Sequence, residues 1–282
     1  MKHSHLFFHP VDSLYNYMRK TDAPGEVDDF KLHNHTSYEL FIFLEGDVTF
    51  YVEGSAYQLK PFDVLVIRDN EMHRTVHLSK KTYRRIVVSI QKQFFDTLDC
   101  KQYQRLFTDR EVGEANLIRA DYIESSGFLD AVARFERYMK EAPRDGDAVL
   151  RATLVEMLHI LSKSTLESGG DAFKNDVIKH ILAYINQNIT EPLSLDDIAD
   201  AFFISKCHLC RMFKAATGFT IHSYITNKRI MLVRSLCRAG KSIGSACMEA
   251  GFGSYSNFYK TYVKETGLNP RTGLRQMDLR ME

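Results

Sequence analysis

At 282 residues, 44% hydrophobic, 26% charged and +1 in formal net charge, the chain has the composition of a soluble protein of about two domains. No stretch approaches the roughly 18 apolar residues of a membrane span, and the His-rich segment Met1 to Pro10 has no long apolar run behind a basic start, which argues against a secretory signal. Five cysteines at irregular spacing argue against a disulfide framework and for reduced thiols in a cytoplasmic protein.

From about Lys31, short β-rich runs alternate with turn residues. Tyr38–Leu44 is followed by Glu45-Gly46-Asp47, Val48–Val52 by Glu53-Gly54-Ser55, and Ala56–Leu59 by Pro61-Phe62-Asp63. Val64–Ile67, Arg74–Leu78 and Tyr83–Ile90 complete the set. Strands of four to eight residues at nearly even spacing predict a small antiparallel sandwich or barrel with an interior able to hold a ligand. The first 30 residues, with Pro10 and Pro24-Gly25, read as an arm able to close over that interior.

After Gln91 the period becomes helical. Phe128–Lys140 and Ala148–Lys163 carry apolar residues three and four apart. In the second, Leu150, Leu154, Leu158 and Leu161 form a stripe widened by Val149, Met157 and Ile160, suited either to packing on the chain's own barrel or to a dimer interface. Ser164–Asp171, polar and containing Gly169-Gly170, reads as a linker. The domain division is therefore 1–95 for the barrel, 96–168 for a helical linker and dimerisation region, and 169–282 for an all-α domain.

That last domain differs in charge. Residues 171–282 hold 15 Lys/Arg and 10 Asp/Glu, a net of +5, whereas residues 1–170 hold 22 and 26, a net of −4. A basic half suits an anionic partner. Val177–Ile189 is amphipathic, and Ser194-Leu195-Asp196-Asp197 has the form of a capping box opening a short helix to about Phe202. After a tight turn, Ser205 caps a helix running to Thr217 before Gly218. The pattern then repeats: Ile221–Arg238 is a long helix, Ser242 caps a short one ending near Ala250, Gly251-Phe252-Gly253 turns, and Ser254 caps a helix to Thr266 before Gly267. Two helix-turn-helix units on one stiff helix could set recognition helices in successive major grooves, about 34 Å apart.

These residues carry a family likeness: Leu195, Ile198-Ala199, Ser205, Leu209, Met212-Phe213-Lys214, Thr217-Gly218, Tyr224 and Arg229 in the first unit; Ala250-Gly251-Phe252, Ser256, Phe258, Gly267, Pro270 and Arg275 in the second. Over about Asp176 to Gln276 the chain resembles the DNA-binding domain of the AraC/XylS regulators. The resemblance implies a one-component transcriptional regulator, activator or repressor, with double-stranded DNA, a small-molecule effector and RNA polymerase as partners, and a homodimer without membrane association. Two departures stand out. Phe203 sits where the first turn usually has Gly, and Ala246-Cys247 replaces the usual Ile-Ala pair; both are apolar and expected to pack.

On the first recognition helix the i, i+4 pair Leu209 and Phe213 should face the core, leaving Lys206, Cys207, Cys210, Arg211 and Lys214 as DNA-facing candidates. Only Arg211 offers a bidentate pairing with guanine. On the second, Phe258 and Tyr262 take the core, leaving Tyr255, Ser256, Asn257 and Lys260; Asn257 could pair with adenine and Lys260 reach guanine or phosphate. Any one of these could equally be a solvated helix face. Cys207-x-x-Cys210 invites a metal or redox reading, but two thiolates do not complete a tetrahedral zinc site.

In the β-rich half, His33-x-His35-x3-Glu39-x6-Gly46 resembles the first motif of the cupin family, and Pro61-Phe62-Asp63 with Asn70-Glu71-Met72-His73 the second, without the Gly usual near Phe62-Asp63. The resemblance implies that His33, His35, Glu39 and His73 ligate a metal, and three imidazoles with a carboxylate suit zinc, nickel, manganese or iron. The same four could instead line an organic effector pocket, for a sugar for instance, with no cofactor required; Tyr38, Phe41, Phe43 and Tyr51 are candidate walls. The expected fold is thus multidomain α and β: a cupin-like antiparallel β-barrel followed by helices, then an all-α domain with two helix-turn-helix units. A metal-dependent cupin enzyme with a helical C-terminal extension is the alternative to a non-enzymatic regulator.

Overall fold

The computed structural model describes residues 6–8, 14–24, 35, 37–69, 71–141, 147–169 and 176–279, which fall in two units, Met1–Ala172 and Phe173–Glu282. In the first, strands β1 (Leu6–Phe8), β2 (Tyr15–Asp22), β3 (Tyr38–Glu45), β4 (Val48–Val52), β5 (Ser55–Gln58), β6 (Val64–Ile67), β7 (His73–His77) and β8 (Tyr83–Ile90) precede helices α1 (Lys92–Thr97) and α2 (Arg105–Thr108). A two-residue strand β9 (Leu117–Ile118) leads to α3 (Ala120–Ser125), α4 (Phe128–Glu141) and α5 (Asp147–Leu161). One antiparallel sheet runs β1-β2-β8-β3-β6-β9 and a second β5-β4-β7.

The near-continuous apolar run of β3 follows from being covered on both faces. Leu40 and Ile42, with Val64, Val66, Ile86 and Val88, pack against the helices. Phe41 and Phe43, with Leu65 and Ile67, meet Val48, Phe50 and Val52 of the second sheet; the Phe41 and Phe50 rings are 4.7 Å apart. The two sheets thus enclose the interior expected of a cupin-like domain.

Three expectations take a more definite form. Tyr15–Asp22, read as part of a closing arm, is a sheet strand paired with β8 from Tyr15↔Ile90 to Asp22↔Tyr83; Pro10 and Gly25 lie outside the described residues. Tyr15 and Tyr17 are buried against the helices, and Glu136 of α4 accepts from the Tyr17 hydroxyl at 2.5 Å and from Arg19 at 2.8 and 2.9 Å. The stripe of α5 packs on its own unit: Leu150, Leu154, Met157, Leu158 and Leu161 are fully buried in the core that backs the six-stranded sheet, while Val149 at its edge stays exposed. The start of the expected linker is fastened down. Leu117 and Glu167 exchange backbone hydrogen bonds of 3.1 and 2.7 Å, Arg119 pairs with Glu167 at 2.8 Å, and the Ala115 amide donates to Ser168 Oγ at 3.2 Å.

The second unit is helical: α6 (Asp176–Gln187), α7 (Leu195–Ala201), α8 (Lys206–Thr217), α9 (Ile221–Arg238), α10 (Ile243–Glu249), α11 (Tyr255–Thr266) and α12 (Pro270–Leu279). Ser194 and Asp197 form the expected reciprocal capping box, and Ser205, Thr220, Ser242 and Ser254 each cap the helix that follows. Each such cap contributes about 1 kcal/mol. Gly218 and Gly267 close α8 and α11 in the left-handed conformation. Arg229 of α9 donates to the carbonyls of Ile189 and Glu191 at 2.8 and 2.6 Å. Gly251, at φ +84°, packs so near that a Cβ there would stand 2.6 Å from the Thr190 carbonyl oxygen. The second turn is thereby nested against the segment before α7, and α9 belongs to both repeats.

Candidate nucleic-acid interface and interior cluster

Each recognition helix has one buried and one open face. Leu209, Phe213, Ala216 and Thr217 of α8 are buried, as are Phe258 and Tyr262 of α11. Lys206, Cys207, Arg211 and Lys214 are exposed and Cys210 is half-buried; Tyr255, Ser256, Asn257 and Lys260 are exposed on α11. The sequence-derived candidates therefore share two solvent-facing surfaces. They are not equally available. The Lys206 ammonium is held by Asp196 at 2.7 Å, and the Asn257 amide donates to the Phe252 carbonyl at 3.2 Å, fastening the second turn. Arg211, Lys214 and Lys260 make no ion pair among the described residues. Superposing the caps Ser205 and Ser254 matches Cys210 to Tyr259, an exposed side chain that sequence reasoning passed over. That internal alignment is the signal that would have found it.

The two substitutions at the turns behave differently. Ala246 and Cys247 are fully buried, as expected. Phe203 is not packed: it is 97% exposed, at φ +53°, because the tight turn demands the left-handed conformation that Gly usually supplies. A bulky side chain there points to water.

Between the sheets, His35, Glu39 and His73 converge, with one donor atom from each lying within 4.8 Å of the others. His35 Nε2 is 2.8 Å from Glu39 Oε2, and the two rings meet edge to face at 5.0 Å. The far nitrogens face backbone carbonyls: His35 Nδ1 is 2.8 Å from the Ser37 oxygen and His73 Nδ1 2.9 Å from that of Glu71. Carbonyls only accept, so both Nδ1 atoms carry hydrogen; His35 Nε2 in turn donates to the Glu39 carboxylate and would have to give up that proton before it could ligate a metal. Burial pulls the His35 pKa down, but the charge and hydrogen bond of Glu39 and the Ser37 carbonyl outweigh it and hold the ring above its usual value. A carboxylate oxygen beside two imidazoles that are each held through Nδ1 fits a divalent metal by donor chemistry, the metal displacing the His35 Nε2 proton. His33 lies outside the described residues.

Behind His73, Glu71 anchors a buried polar network. Its carboxylate takes two bonds from Arg110 at 2.7 and 2.6 Å, one from the Gly113 amide at 2.8 Å and one from Asn116 at 3.2 Å. Farther along the interior, Arg85 pairs with Asp22 at 2.6 Å and lies over the Tyr83 ring at 4.3 Å, with His77 against that ring's edge at 4.6 Å. Burial pushes the Tyr83 hydroxyl up to about 12. No local motif announces this second group, because Asp22 and Arg85 meet only through the β2–β8 pairing. Of the aromatic candidates, Phe41 and Phe43 face the interior, Tyr38 packs on the helix side, and Tyr51 is half-buried beneath Arg74.

Comparison with known proteins bears on both units. A helix-turn-helix domain model matches residues 198–276 and a cupin domain model matches residues 18–89. The chain is 23% identical over 246 residues to the HTH-type transcriptional activator RhaS of Enterobacter sp., covering 86% of both chains. It is 24% identical over 244 residues to RhaS of Citrobacter koseri, again with 86% of each covered. The chain thus carries the helix-turn-helix and cupin domains that its resemblance to the AraC/XylS regulators implied. It is a DNA-binding transcriptional regulator with an N-terminal cupin-like domain. Among solved structures, ToxT of Vibrio cholerae O395 aligns over 93% of this chain and 97% of its own at 15% identity, with a TM-score of 0.39. No described helix of the regulator is long and apolar enough to cross a membrane.

Proposed function

We propose that the regulator binds two DNA boxes one helical turn apart, α8 reading one and α11 the other, and that a small polar effector held between the sheets controls this binding. The observation that carries the reading is the repeat itself: two capped units of matching length, each with an open recognition face, share α9. Arg211 is the principal base reader of the first box. Tyr255, Ser256, Tyr259 and Lys260 contact the second, with Lys214 and Lys206 toward phosphate. A cytoplasmic site of action and a non-enzymatic role follow from DNA binding. The activators among its relatives favour RNA polymerase as a further partner, and the mass of the protein in solution tests the homodimer implied by the family.

At the interior cluster, His35, Glu39 and His73 would hold a divalent metal, which would offer open coordination positions to an oxygen-rich effector. The chain's own residues then orient that effector: Phe41 and Phe50 wall the site, and the Glu71 carbonyl fixes the His73 tautomer.

Selection of sites from randomised duplex DNA, followed by affinities at several salt concentrations, tests the DNA reading. Enrichment of two boxes about 10 base pairs apart, with affinity falling steeply with salt, is expected. A single box, or no enrichment, would refute it. Calorimetric titration with zinc and nickel, on the native protein and on His73→Ala, tests the metal; equal binding by both would remove the cluster as its site.

A further inference from the structure

Cys207 and Cys210 lie one turn apart on the open side of α8, Cys207 exposed and Cys210 half-buried, both as free thiols. The matching positions of α11 are Ser256 and Tyr259, so the first repeat carries sulfur where the second carries hydroxyls. Residues three apart in an α-helix have Cα atoms about 5 Å apart, inside the range a disulfide spans. Cys207 stands in the first turn, two residues after the Ser205 cap, with its side chain open to solvent. Cys100 and Cys247 contrast with this pair, being buried, with thiols pushed up by that burial and hence unreactive.

We propose that Cys207 and Cys210 are a redox-modification site: a low-molecular-weight disulfide oxidises them to an intramolecular disulfide that withdraws α8 from DNA. The inference rests on the reading that α8 faces its box. In the first step the Cys207 thiolate attacks one sulfur of the oxidant, forming a mixed disulfide and expelling one small thiolate. Cys210, having given up its proton, then attacks the Cys207 sulfur, closing the ring and expelling the second. The oxidant is reduced to two thiols, which take up the two protons the cysteines lose. The ring draws two side chains together across the reading face and displaces Arg211, which follows Cys210 directly.

The full-length protein is incubated with glutathione disulfide, and intact mass and affinity for the duplex selected by reduced protein are measured. Loss of two hydrogens, a cross-link mapped to Cys207 and Cys210, and about tenfold or greater weakening reversed by dithiothreitol are expected. The ratio of oxidised to reduced affinity is read within each variant. Cys207→Ser should hold that ratio near one, and Cys210→Ser should stop at the mixed disulfide. A stable glutathione adduct on the native protein, ring closure with unchanged affinity, or a response that persists in Cys207→Ser would each overturn the proposal. Failure of the underlying reading is separate: reduced protein would select no site, or Arg211→Ala would leave base preference intact.

Discussion

Replacing Phe203 by asparagine should stabilise the first helix-turn-helix unit by about 1 kcal/mol. The residue sits at φ +53°, and left-handed backbone costs an L-residue with a bulky side chain about 1–2 kcal/mol. Asparagine bears that conformation more easily because its short side chain bonds locally. What would be lost is small. A Phe buries about 200 Å² when fully covered, and at 97% exposure only a few Å² are covered here, about 0.1–0.2 kcal/mol of transfer energy. Glycine should gain less than asparagine, about 0.5 kcal/mol, since its unfolded chain holds more entropy. Valine, β-branched, should destabilise. Native-state hydrogen exchange of the buried α8 amides, Phe213 and Ala216, reads the effect directly, because they exchange only when that unit opens. About fivefold slower exchange in Phe203→Asn is expected. Faster exchange in both Phe203→Asn and Phe203→Gly would mean that the phenyl ring is packed after all and that the turn stores no strain. A stabilised variant that loses DNA affinity would assign the ring a contact in the complex, consistent with strain held at a functional turn.

Arg211→Ala should cost about 1–3 kcal/mol on preferred DNA and relax preference at one base pair, whereas Lys214→Ala should weaken all sequences alike and lower the salt slope by about one. Competition with random duplex distinguishes them. Glu71→Ala removes the one carboxylate that pairs with the Arg110 guanidinium among the described residues, and the Arg110 side chain is 3% exposed; an uncompensated buried charge should destabilise the first unit by about 3–5 kcal/mol in urea denaturation. Asp22 gives a pH test. Burial alone would raise its carboxyl, but the hydrogen bond and charge of Arg85, aided by Lys20, hold it below its usual value. The folded pKa is depressed, so its stabilisation is present above the unfolded value of about 3.9 and is lost as pH falls through the folded value. The native protein should therefore lose stability on acidification below about pH 4 more steeply than Asp22→Asn; parallel acid profiles would refute the pairing.

Local signals made much of this fold legible. Val48–Val52, Val64–Ile67 and Tyr83–Ile90 appear as strands with the limits read from alternation and turn residues, and α8, α9 and α11 begin at their caps and end where expected. The strand β2 escaped because Arg19, Lys20 and Asp22 mask its alternation, and the partners that make those charges tolerable, Glu136 and Arg85, come from distant chain segments. The final helix α12 escaped although its signal was present: Asn269 caps the Thr272 amide at 2.8 Å and Pro270 opens the first turn. The cupin-like motifs located His35, Glu39 and His73 together, because Glu39 on β3 and His73 on β7 meet from the two facing sheets and His35 shortly precedes β3. The Asp22–Arg85–Tyr83 group and the Glu71–Arg110 network had no such pattern to betray them.

A sheet covered on both faces is poorly suited to transmit a change at the interior, because sliding β3 would disturb two packed layers at once. The hydrogen-bonded loop between α2 and β9 is a better carrier, since polar groups can exchange partners where packed side chains cannot. From His73 the bonds run through the Glu71 carbonyl and carboxylate to Arg110, Gly113 and Asn116, and then through Ala115 to Ser168 and Leu117 to Glu167. Glu167 and Ser168 are fastened just before the stretch of sequence that leads to the DNA-binding unit. An occupant at His73 Nε2 would change the strength of its Nδ1 donor and be felt first at Glu71, whose carboxylate takes four bonds from the loop that pins the connector. Ligand control then requires only that this loop have two hydrogen-bonded arrangements of unequal affinity for the effector.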